Sequence, residues 1–189
     1  MSRLPLTLSA RYGLAANSKL VQAFWVAGFS LLVALAAQIE IPTRPVPFTL
    51  QTLAVVLAGA VLGPRKGALS MLTYLALGAA GFPVFSSGGF GLAKLLGPTG
   101  GFLLTFPAAA ALVGVLAPRA RATWAIALAM ASGMALISAG GVLQLRATTG
   151  MGWTESLATG VLLFSVWDAV KLAAATAIFK AVRPSDVTS

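Results

Sequence analysis

The stretch LVQAFWVAGFSLLVALAAQI, residues Leu20 to Ile39, decides the fold class of this chain. It carries no charged side chain, and about 20 mostly apolar residues are what an α-helix needs to cross a hydrocarbon core. Further apolar segments follow, and we expect them to be spans at about residues 49–62, 68–80, 97–117, 123–145 and 155–181. The sequence therefore predicts an all-α integral membrane protein, a six-transmembrane-helix bundle.

The composition supports a single transmembrane domain over residues 1–189. Of the 189 residues, 58% are hydrophobic and only 9% are charged, whereas soluble domains carry about 25% charged residues. Six spans leave only short loops, a polar N-terminal segment at 1–19 and a polar tail at 183–189. In the N-terminal segment we find no pattern of a cleavable signal.

The basic residues predict the orientation. The net charge is +9, but the basic residues are scattered and accompany no recognition motif, so we expect no nucleic-acid partner. Nine of them fall on one side of the predicted membrane and three on the other: Arg3, Arg11, Lys19, Arg65, Lys66, Arg119, Arg121, Lys180 and Arg183 against Arg44, Lys94 and Arg146. By the positive-inside rule both termini lie in the cytoplasm, which predicts a multi-pass protein of the cytoplasmic (inner) membrane.

The residue inventory excludes most enzyme chemistry. The chain has no Cys and no His, which removes thiolate nucleophiles, haem ligation through His and the usual zinc sites. The acidic residues are only Glu40, Glu155, Asp168 and Asp186, so a carboxylate-rich metal site is hard to build. No phosphate-binding Lys motif is present. We expect a transport protein rather than an enzyme, with no cofactor and no metal.

Asp168 and Lys171 are the charges that the predicted topology leaves unexplained. Both lie inside the sixth apolar segment, and their i, i+3 spacing puts them on one helix face. Ionisable residues inside a membrane are costly and indicate a functional site. The pair predicts a ligand site with one acceptor and one donor; the alternatives are a self-neutralising structural pair or a proton relay. Trp167 beside them is either a wall of the pocket or a packing residue.

Two outward segments carry further candidates. Pro45 to Thr52 combines a rigid start with polar side chains, in which Thr49 and Gln51 either face a ligand cavity or cap the helix and meet lipid headgroups. Gly97-Pro98-Thr99-Gly100-Gly101 opens the fourth span, and free N–H groups at a helix start suit a carboxylate. We therefore include Pro98 and Thr99 in the predicted site, with an ordinary helix start as the alternative. The long, irregular connectors on this side indicate that the working face is outward.

Ala23 and Ala27 lie four residues apart on the first span and form a small-residue pair that lets another helix approach closely. The pair fits packing within the bundle and contact with a partner protein equally well. The remaining apolar faces of the spans are expected to meet the lipid bilayer.

Four motifs in this order resemble the BioY family, the biotin-specific S components of energy-coupling factor (ECF) transporters. They are Pro45 to Thr52, Leu62 to Arg65, Gly78 to Phe85 and Gly97 to Phe102, with Asp168 and Lys171 on the last helix, and the resemblance covers about residues 20–182. It implies a six-helix bundle whose irregular outward loops cap a ligand pocket and which binds biotin tightly from the outside. It also implies two kinds of partner, a transmembrane T component, contacted through Ala23 and Ala27, and a pair of cytoplasmic ATPases.

The same resemblance adds residues to the predicted site. The connector after the third span falls where the family places a loop that caps the vitamin, which implies ligand contacts from Phe85, Ser87, Gly88, Gly89 and Phe90.

Other functions are open at this point. A self-sufficient secondary permease or facilitator for biotin or another small vitamin would use Asp168 and Lys171 as an ion pathway, although the chain shows no paired broken helices. An intramembrane enzyme would need clustered carboxylates or His, and a purely structural subunit would not need the irregular outer connectors.

Overall fold

The computed structural model describes residues 18–43, 46–160 and 165–183, and over these residues the chain is predominantly helical. The α-helices are α1 Lys19–Gln38, α2 Gln51–Leu62, α3 Pro64–Ala79, α4 Leu92–Leu96, α5 Gly100–Leu104, α6 Phe106–Leu116, α7 Thr123–Thr149, α8 Trp153–Gly160 and α9 Ser165–Val182. Two short strands, β1 Glu40–Ile41 and β2 Phe48–Thr49, pair antiparallel with Glu40 opposite Thr49. Single 3₁₀ turns occupy Ser86–Gly88 and Ala117–Arg119.

Among the residues that the structure describes, three helical segments are long and apolar enough to cross a membrane. They are Lys19–Gln38, Gly100–Arg119 and Thr123–Thr149, and the shorter helix Gln51–Leu62 is also apolar. The number of spans, six, stays a prediction. The predicted sixth span at 155–181 coincides with parts of α8 and α9, while residues 161–164 between them lie outside the described residues, as do 1–17 and 184–189 of the two terminal segments.

The third helix begins earlier than its sequence pattern predicts. The sequence pattern starts the third span at about residue 68, but α3 starts at Pro64 and carries Arg65 and Lys66 in its first turn. Proline suits the first helical position, where its missing N–H costs nothing. Gly63 alone makes the turn, with a φ of +81° that favours glycine.

The fourth span is broken, and it starts later than predicted. Its helix begins at Gly100 rather than at residues 97–99, and it is interrupted at Thr105 between α5 and α6. Pro107 explains the interruption, since it has no N–H to donate and its ring crowds the preceding turn. At the break, the Thr105 hydroxyl donates to the carbonyl oxygens of Gly101 and Phe102, at 2.8 and 2.9 Å.

Helix α2 lies at the centre of the bundle, where small side chains let its neighbours approach. Val55, Val56 and Ala58 are fully buried. A Cβ at Gly59 would overlap the backbone carbonyl of Ala110 on α6. Close backbone contact of this kind is typical of helices packed inside membranes.

The two ends of the bundle differ in structure. One end, called here the loop-rich end, holds the β1–β2 hairpin and the connector of residues 80–99. The opposite end, called the basic end, holds Gly63, residues 117–122 and the last turn of α9. There, Arg183 donates hydrogen bonds to the carbonyl oxygens of Pro118 and Ala120. Lys180 Nζ donates to Thr123 Oγ1 at 2.8 Å, which joins α9 to α7.

Candidate ligand-binding site

A cleft opens at the loop-rich end between β2, α2, α5, α7 and α9. About 590 Å³ of space lies between its walls, part of it open to solvent. Its lining combines apolar surface with a few polar side chains, the mixture by which such sites hold and orient a ligand.

Helix α9 supplies the charged wall of the cleft, Asp168 and Lys171. Lys171 Nζ lies 3.0 Å from Asp168 Oδ1 and 3.1 Å from Thr52 Oγ1 on α2. The same nitrogen lies 3.8 Å from the centroid of the Phe48 ring. Lys171 is 5% exposed and Asp168 is 30% exposed. An acceptor and a donor therefore stand side by side, one helical turn apart, with the carboxylate nearer to the open side.

A neutral network lies next to this pair. Thr49 Oγ1 donates to Gln51 Oε1 at 3.0 Å, and Gln51 Nε2 donates to the hydroxyl of Tyr74 on α3 at 2.5 Å. The Tyr74 hydroxyl donates in turn to the Val84 carbonyl oxygen at 3.2 Å. Thr49 and Gln51 line the cleft, whereas Tyr74 lies behind them and is fully buried.

The side of the cleft formed by α5 and α7, called here the packed wall, depends on glycines. A Cβ at Gly101 would overlap the carbonyl oxygen of Gly140, and a Cβ at Gly141 would overlap the ring of Phe102. This close approach brings Phe102 to the cleft, with Ile137 of α7 beside it. The wall is mainly apolar and suits an apolar part of a ligand.

Gln144 fastens the segment that precedes α5 to α7. Its Nε2 donates to the carbonyl oxygens of Leu95 and Gly97, at 2.8 and 2.9 Å. Thr99 lies two residues after Gly97 and lines the cleft. The helix that begins after Thr99, α5, is only five residues long.

The connector of residues 80–99 is held to the end of α1. Gln38 Nε2 donates to the Phe85 carbonyl oxygen at 3.1 Å, and Ser87 Oγ donates to Glu40 Oε1 at 2.5 Å. The ring of Phe85 is buried where a Cβ on Gly78 would overlap it. These contacts place Ser86 at the cleft.

The structure brings together part of the site predicted from the sequence. The predicted residues that line the cleft are Thr49, Gln51, Thr99, Asp168 and Lys171. The others, which are not among the described residues that line it, are Phe85, Ser87, Gly88, Gly89, Phe90, Pro98 and Trp167. Contact of any of these residues with a ligand stays a prediction.

The predicted residues outside the lining lie close to it. The Trp167 ring is half-exposed and packs on Phe48, with 5.9 Å between ring centroids. Phe85 points into the core against Tyr74, at 5.4 Å between ring centroids. Ser87, Phe90 and Pro98 are exposed at the loop-rich end. On α1, far along the chain from these loops, Ala23 and Ala27 are both exposed.

The sequence reasoning missed several lining residues. Thr52, Phe48 and Phe102 belong to quoted motifs but are not among the predicted site residues. Ser86 of the connector is not among them either, and nothing in the sequence pattern points to Ile137 and Ser138. The contact of Lys171 with Thr52 and Phe48 joins positions more than a hundred residues apart. The sequence contains one signal for Thr52: its hydroxyl directly follows Gln51 and adds another polar group at the start of the same helix.

Metal binding finds no support in the part of the chain that the structure describes. No three carboxylate, Cys or His side chains lie together there. The polar groups of the cleft are suited to hydrogen bonds with an organic ligand.

The chain is similar to known proteins over most of its length. The model of the BioY family matches residues 10–186. A probable biotin transporter BioY of Pyrococcus horikoshii is 42% identical over 158 residues, which are 84% of this chain and 92% of that protein. The biotin transporter BioY of Thermotoga maritima is 37% identical, over 84% of this chain and 94% of its own length.

A solved structure has the same fold. The crystal structure of the S-component for biotin from an ECF-type ABC transporter superposes with a TM-score of 0.80 and 26% identity, over 88% of this chain and 93% of that chain. These relatives are transporters rather than enzymes, as the sequence predicts for this chain. The family match over most of the sequence and the identities of its relatives lead to one conclusion, that the chain belongs to the BioY family.

Proposed function

We propose that this chain is the high-affinity biotin-binding S component of an ECF-type transporter, energised by a separate T component and a pair of ATPases. Its relatives are named biotin transporters, and the solved structure that it resembles is a biotin S-component. The observation that carries the proposal is the pairing of Asp168 with Lys171 in the wall of a cleft within an apolar bundle.

The charged wall has the chemistry that biotin requires. Biotin offers two ureido N–H donors, a ureido oxygen, an apolar thioether ring and an aliphatic tail that ends in a carboxylate. A carboxylate accepts from the ureido N–H groups, and an ammonium donates to the ureido oxygen or to the tail. The apolar packed wall is suited to the ring and the tail. Pro98 and the residues of the connector, from Phe85 to Phe90, then cap the ligand from the loop-rich end.

The proposed topology has six spans in the cytoplasmic membrane, both termini in the cytoplasm and the cleft facing outward. The gathering of Arg65, Lys66, Arg119, Arg121, Lys180 and Arg183 at the basic end supports it. A reporter fused after Ser189 is expected to be active only in the cytoplasm. Activity only outside would refute this orientation.

Biotin binding by the purified chain is the direct test. We expect isothermal titration calorimetry to show tight binding of biotin, and Lys171→Met to weaken it about 30-fold or more, as expected for the loss of a buried charged partner. Lys180→Met is a matched control, because it removes a lysine from the same helix at the basic end. No heat of binding for the wild-type protein would refute the proposal.

The partners are tested separately. We expect ATP-dependent biotin uptake into liposomes only when the T component and both ATPases are added, since no nucleotide-binding motif was found in the sequence. Ala23→Leu and Ala27→Leu are expected to reduce copurification of the T component, whereas Leu128→Phe on the exposed face of α7 leaves it unchanged. ATP-dependent uptake by this chain alone would refute the need for these partners, whereas rapid uptake by this chain alone without ATP would favour the self-sufficient permease.

A further inference from the structure

We propose that Tyr74, which does not line the cleft, is a positioning residue that fixes the orientation of the Gln51 side-chain amide and thereby the ligand preference of the site. The inference rests on the proposed function, because it concerns which part of biotin the neutral network recognises. It follows from counting the hydrogens that three neighbouring side chains can donate.

The Tyr74 hydroxyl has one hydrogen and two neighbours. It lies 3.2 Å from the carbonyl oxygen of Val84, which can only accept, so the hydroxyl hydrogen points there. The contact with Gln51, at 2.5 Å, must then be one that the Tyr74 oxygen accepts. Only the NH₂ end of the Gln51 amide can donate, so Nε2 faces Tyr74.

Thr49 favours the same orientation from the other side. Its hydroxyl oxygen accepts the backbone N–H of Gln51 at 3.3 Å, and its hydrogen is given to Gln51 Oε1 at 3.0 Å. If the amide rotated by half a turn, both hydroxyl hydrogens would have to turn as well: Thr49 Oγ1 would accept from Nε2, and the Tyr74 hydroxyl would donate to Oε1 and leave the Val84 carbonyl oxygen. The observed orientation therefore has one more hydrogen bond than the rotated one, and the network favours it.

Packing holds the Tyr74 side chain in place. Its ring is fully buried, with the edge-on ring of Phe85 at 5.4 Å and the stacked ring of Phe106 at 6.3 Å between centroids. Phe85 is itself fixed against Gly78. Gln51 therefore has a rigid support that also ties it to the connector of residues 80–99, through Val84.

The fixed amide leaves a defined pattern for a ligand. Gln51 has one N–H and one Oε1 lone pair without a partner among the described residues, and it lines the cleft. A cyclic urea has the complementary pattern, with a C=O next to an N–H on one edge. Because the network favours one orientation of Gln51, a ligand that replaces the urea oxygen by a protonated imino group, which can only donate, meets a donor opposite a donor.

The test measures preference as well as affinity, using three probes at one pH. The probes are biotin, desthiobiotin, which keeps the urea but lacks the thioether ring, and 2-iminobiotin, in which an imino group replaces the urea oxygen. We expect Tyr74→Phe to weaken biotin binding about tenfold. We also expect it to lower the preference for biotin over 2-iminobiotin, because the released amide can turn, and to leave the ratio of biotin to desthiobiotin unchanged.

A double-mutant cycle and a control complete the design. If Tyr74 acts through Gln51, Tyr74→Phe adds no further loss of biotin affinity to Gln51→Leu. Ser70→Ala is the matched control: Ser70 lies one turn before Tyr74, is fully buried and donates to the Val26 carbonyl oxygen at 3.0 Å, away from the network. It should lower the melting temperature and leave the ligand ratios as they are.

The inference would be overturned if Tyr74→Phe left the preference for biotin over 2-iminobiotin unchanged. It would also be overturned if the losses of biotin affinity in Tyr74→Phe and Gln51→Leu added in the double variant. Thr49→Val removes the other anchor and should shift the same ratio, which keeps the test open if Tyr74→Phe folds poorly. Failure of the proposed function gives a different result: the wild-type protein would bind none of the probes. The Gln51 side-chain amide signals in an NMR spectrum, which need no ligand, should still change in Tyr74→Phe, and unchanged signals would overturn the fixed orientation.

Discussion

The charged wall and the packed wall of the cleft are built in opposite ways. The polarity of the charged wall comes from two side chains one helical turn apart on α9, Asp168 and Lys171. Across the cleft, α5 and α7 meet backbone to backbone through Gly101 and Gly140. A side-chain pair can exchange partners while its helix stays in place, whereas a backbone contact can change only if helices move. We therefore expect changes in the charged wall to alter affinity and changes in the packed wall to alter stability.

The largest effect is expected from the charged wall. Asp168→Asn keeps the size of the side chain but weakens acceptance from the ureido N–H groups, and it leaves Lys171 without its charge partner. Loss of one member of a buried pair should cost about 2–5 kcal/mol of binding free energy, or about 30-fold or more in affinity. Calorimetry with biotin and a melting curve on the same sample measure both quantities.

The double variant Asp168→Asn with Lys171→Met separates a ligand site from a structural pair. Removing both charges should restore any stability that a single variant loses to an unpaired buried charge. If the pair serves the ligand, affinity stays low after stability returns. Wild-type affinity in a well-folded double variant would rule out a role of the pair in binding.

This pair shows what a sequence makes visible. Two charges three residues apart in an apolar segment stand out, and their spacing fixes a shared helix face without any knowledge of the fold. The neutral network is different, because Gln51 and Tyr74 are 23 residues apart and Val84 contributes only a carbonyl oxygen. Nothing in residue type distinguishes a buried tyrosine that orients a ligand group from one that fills the core.

In the packed wall, Gly101→Ala should produce the next largest effect. The added Cβ would overlap the Gly140 carbonyl oxygen and crowd the side chain of Gln144, and overpacking of this kind costs about 3 kcal/mol at the upper end of its usual range. Gly28→Ala on α1 is the control, since a Cβ there meets nothing within 4 Å, and it should be neutral or slightly stabilising. A melting temperature unchanged by Gly101→Ala would show that α5 and α7 are not in close contact.

A smaller loss of stability is expected from Gln144→Leu. It removes both hydrogen bonds to the Leu95 and Gly97 carbonyl oxygens, a loss of about 1–2 kcal/mol. Thr148→Val, one turn further along α7, is the control, because its hydroxyl bonds only within its own helix. Limited proteolysis of the segment before α5 should become faster in Gln144→Leu alone. Equal cleavage of both variants would contradict the fastening role of Gln144.

The long apolar helices could be predicted from composition, whereas helix breaks and close helix contacts, which depend on single residues, could be predicted less well. Apolar length alone indicates α1 and α7, because a helix of about 20 apolar residues spans the hydrocarbon core and satisfies its own backbone groups there. At the break, the Thr105 hydroxyl donates to the carbonyl oxygens of Gly101 and Phe102, and residue type alone does not reveal these contacts. Proline is tolerated in other membrane helices when neighbours compensate, so Pro107 alone does not show where the helix divides. The close contacts at glycines depend on which helices are neighbours, and a short stretch of sequence does not show which helices those are.

The smallest effect sharpens the comparison within the charged wall itself. Lys171 Nζ lies over the face of the Phe48 ring, and a cation over an aromatic face contributes about 0.5–1 kcal/mol at sites open to water and about 2 when desolvated. Phe48→Leu keeps an apolar cover but removes the π face, so it should weaken biotin binding about two- to fivefold. Phe48→Tyr retains the face and should bind as the wild type does. In Lys171→Met the cation is already absent, so Phe48→Leu should add little to that variant. Equal losses in both backgrounds would mean that Phe48 acts by packing on Trp167 rather than through the lysine.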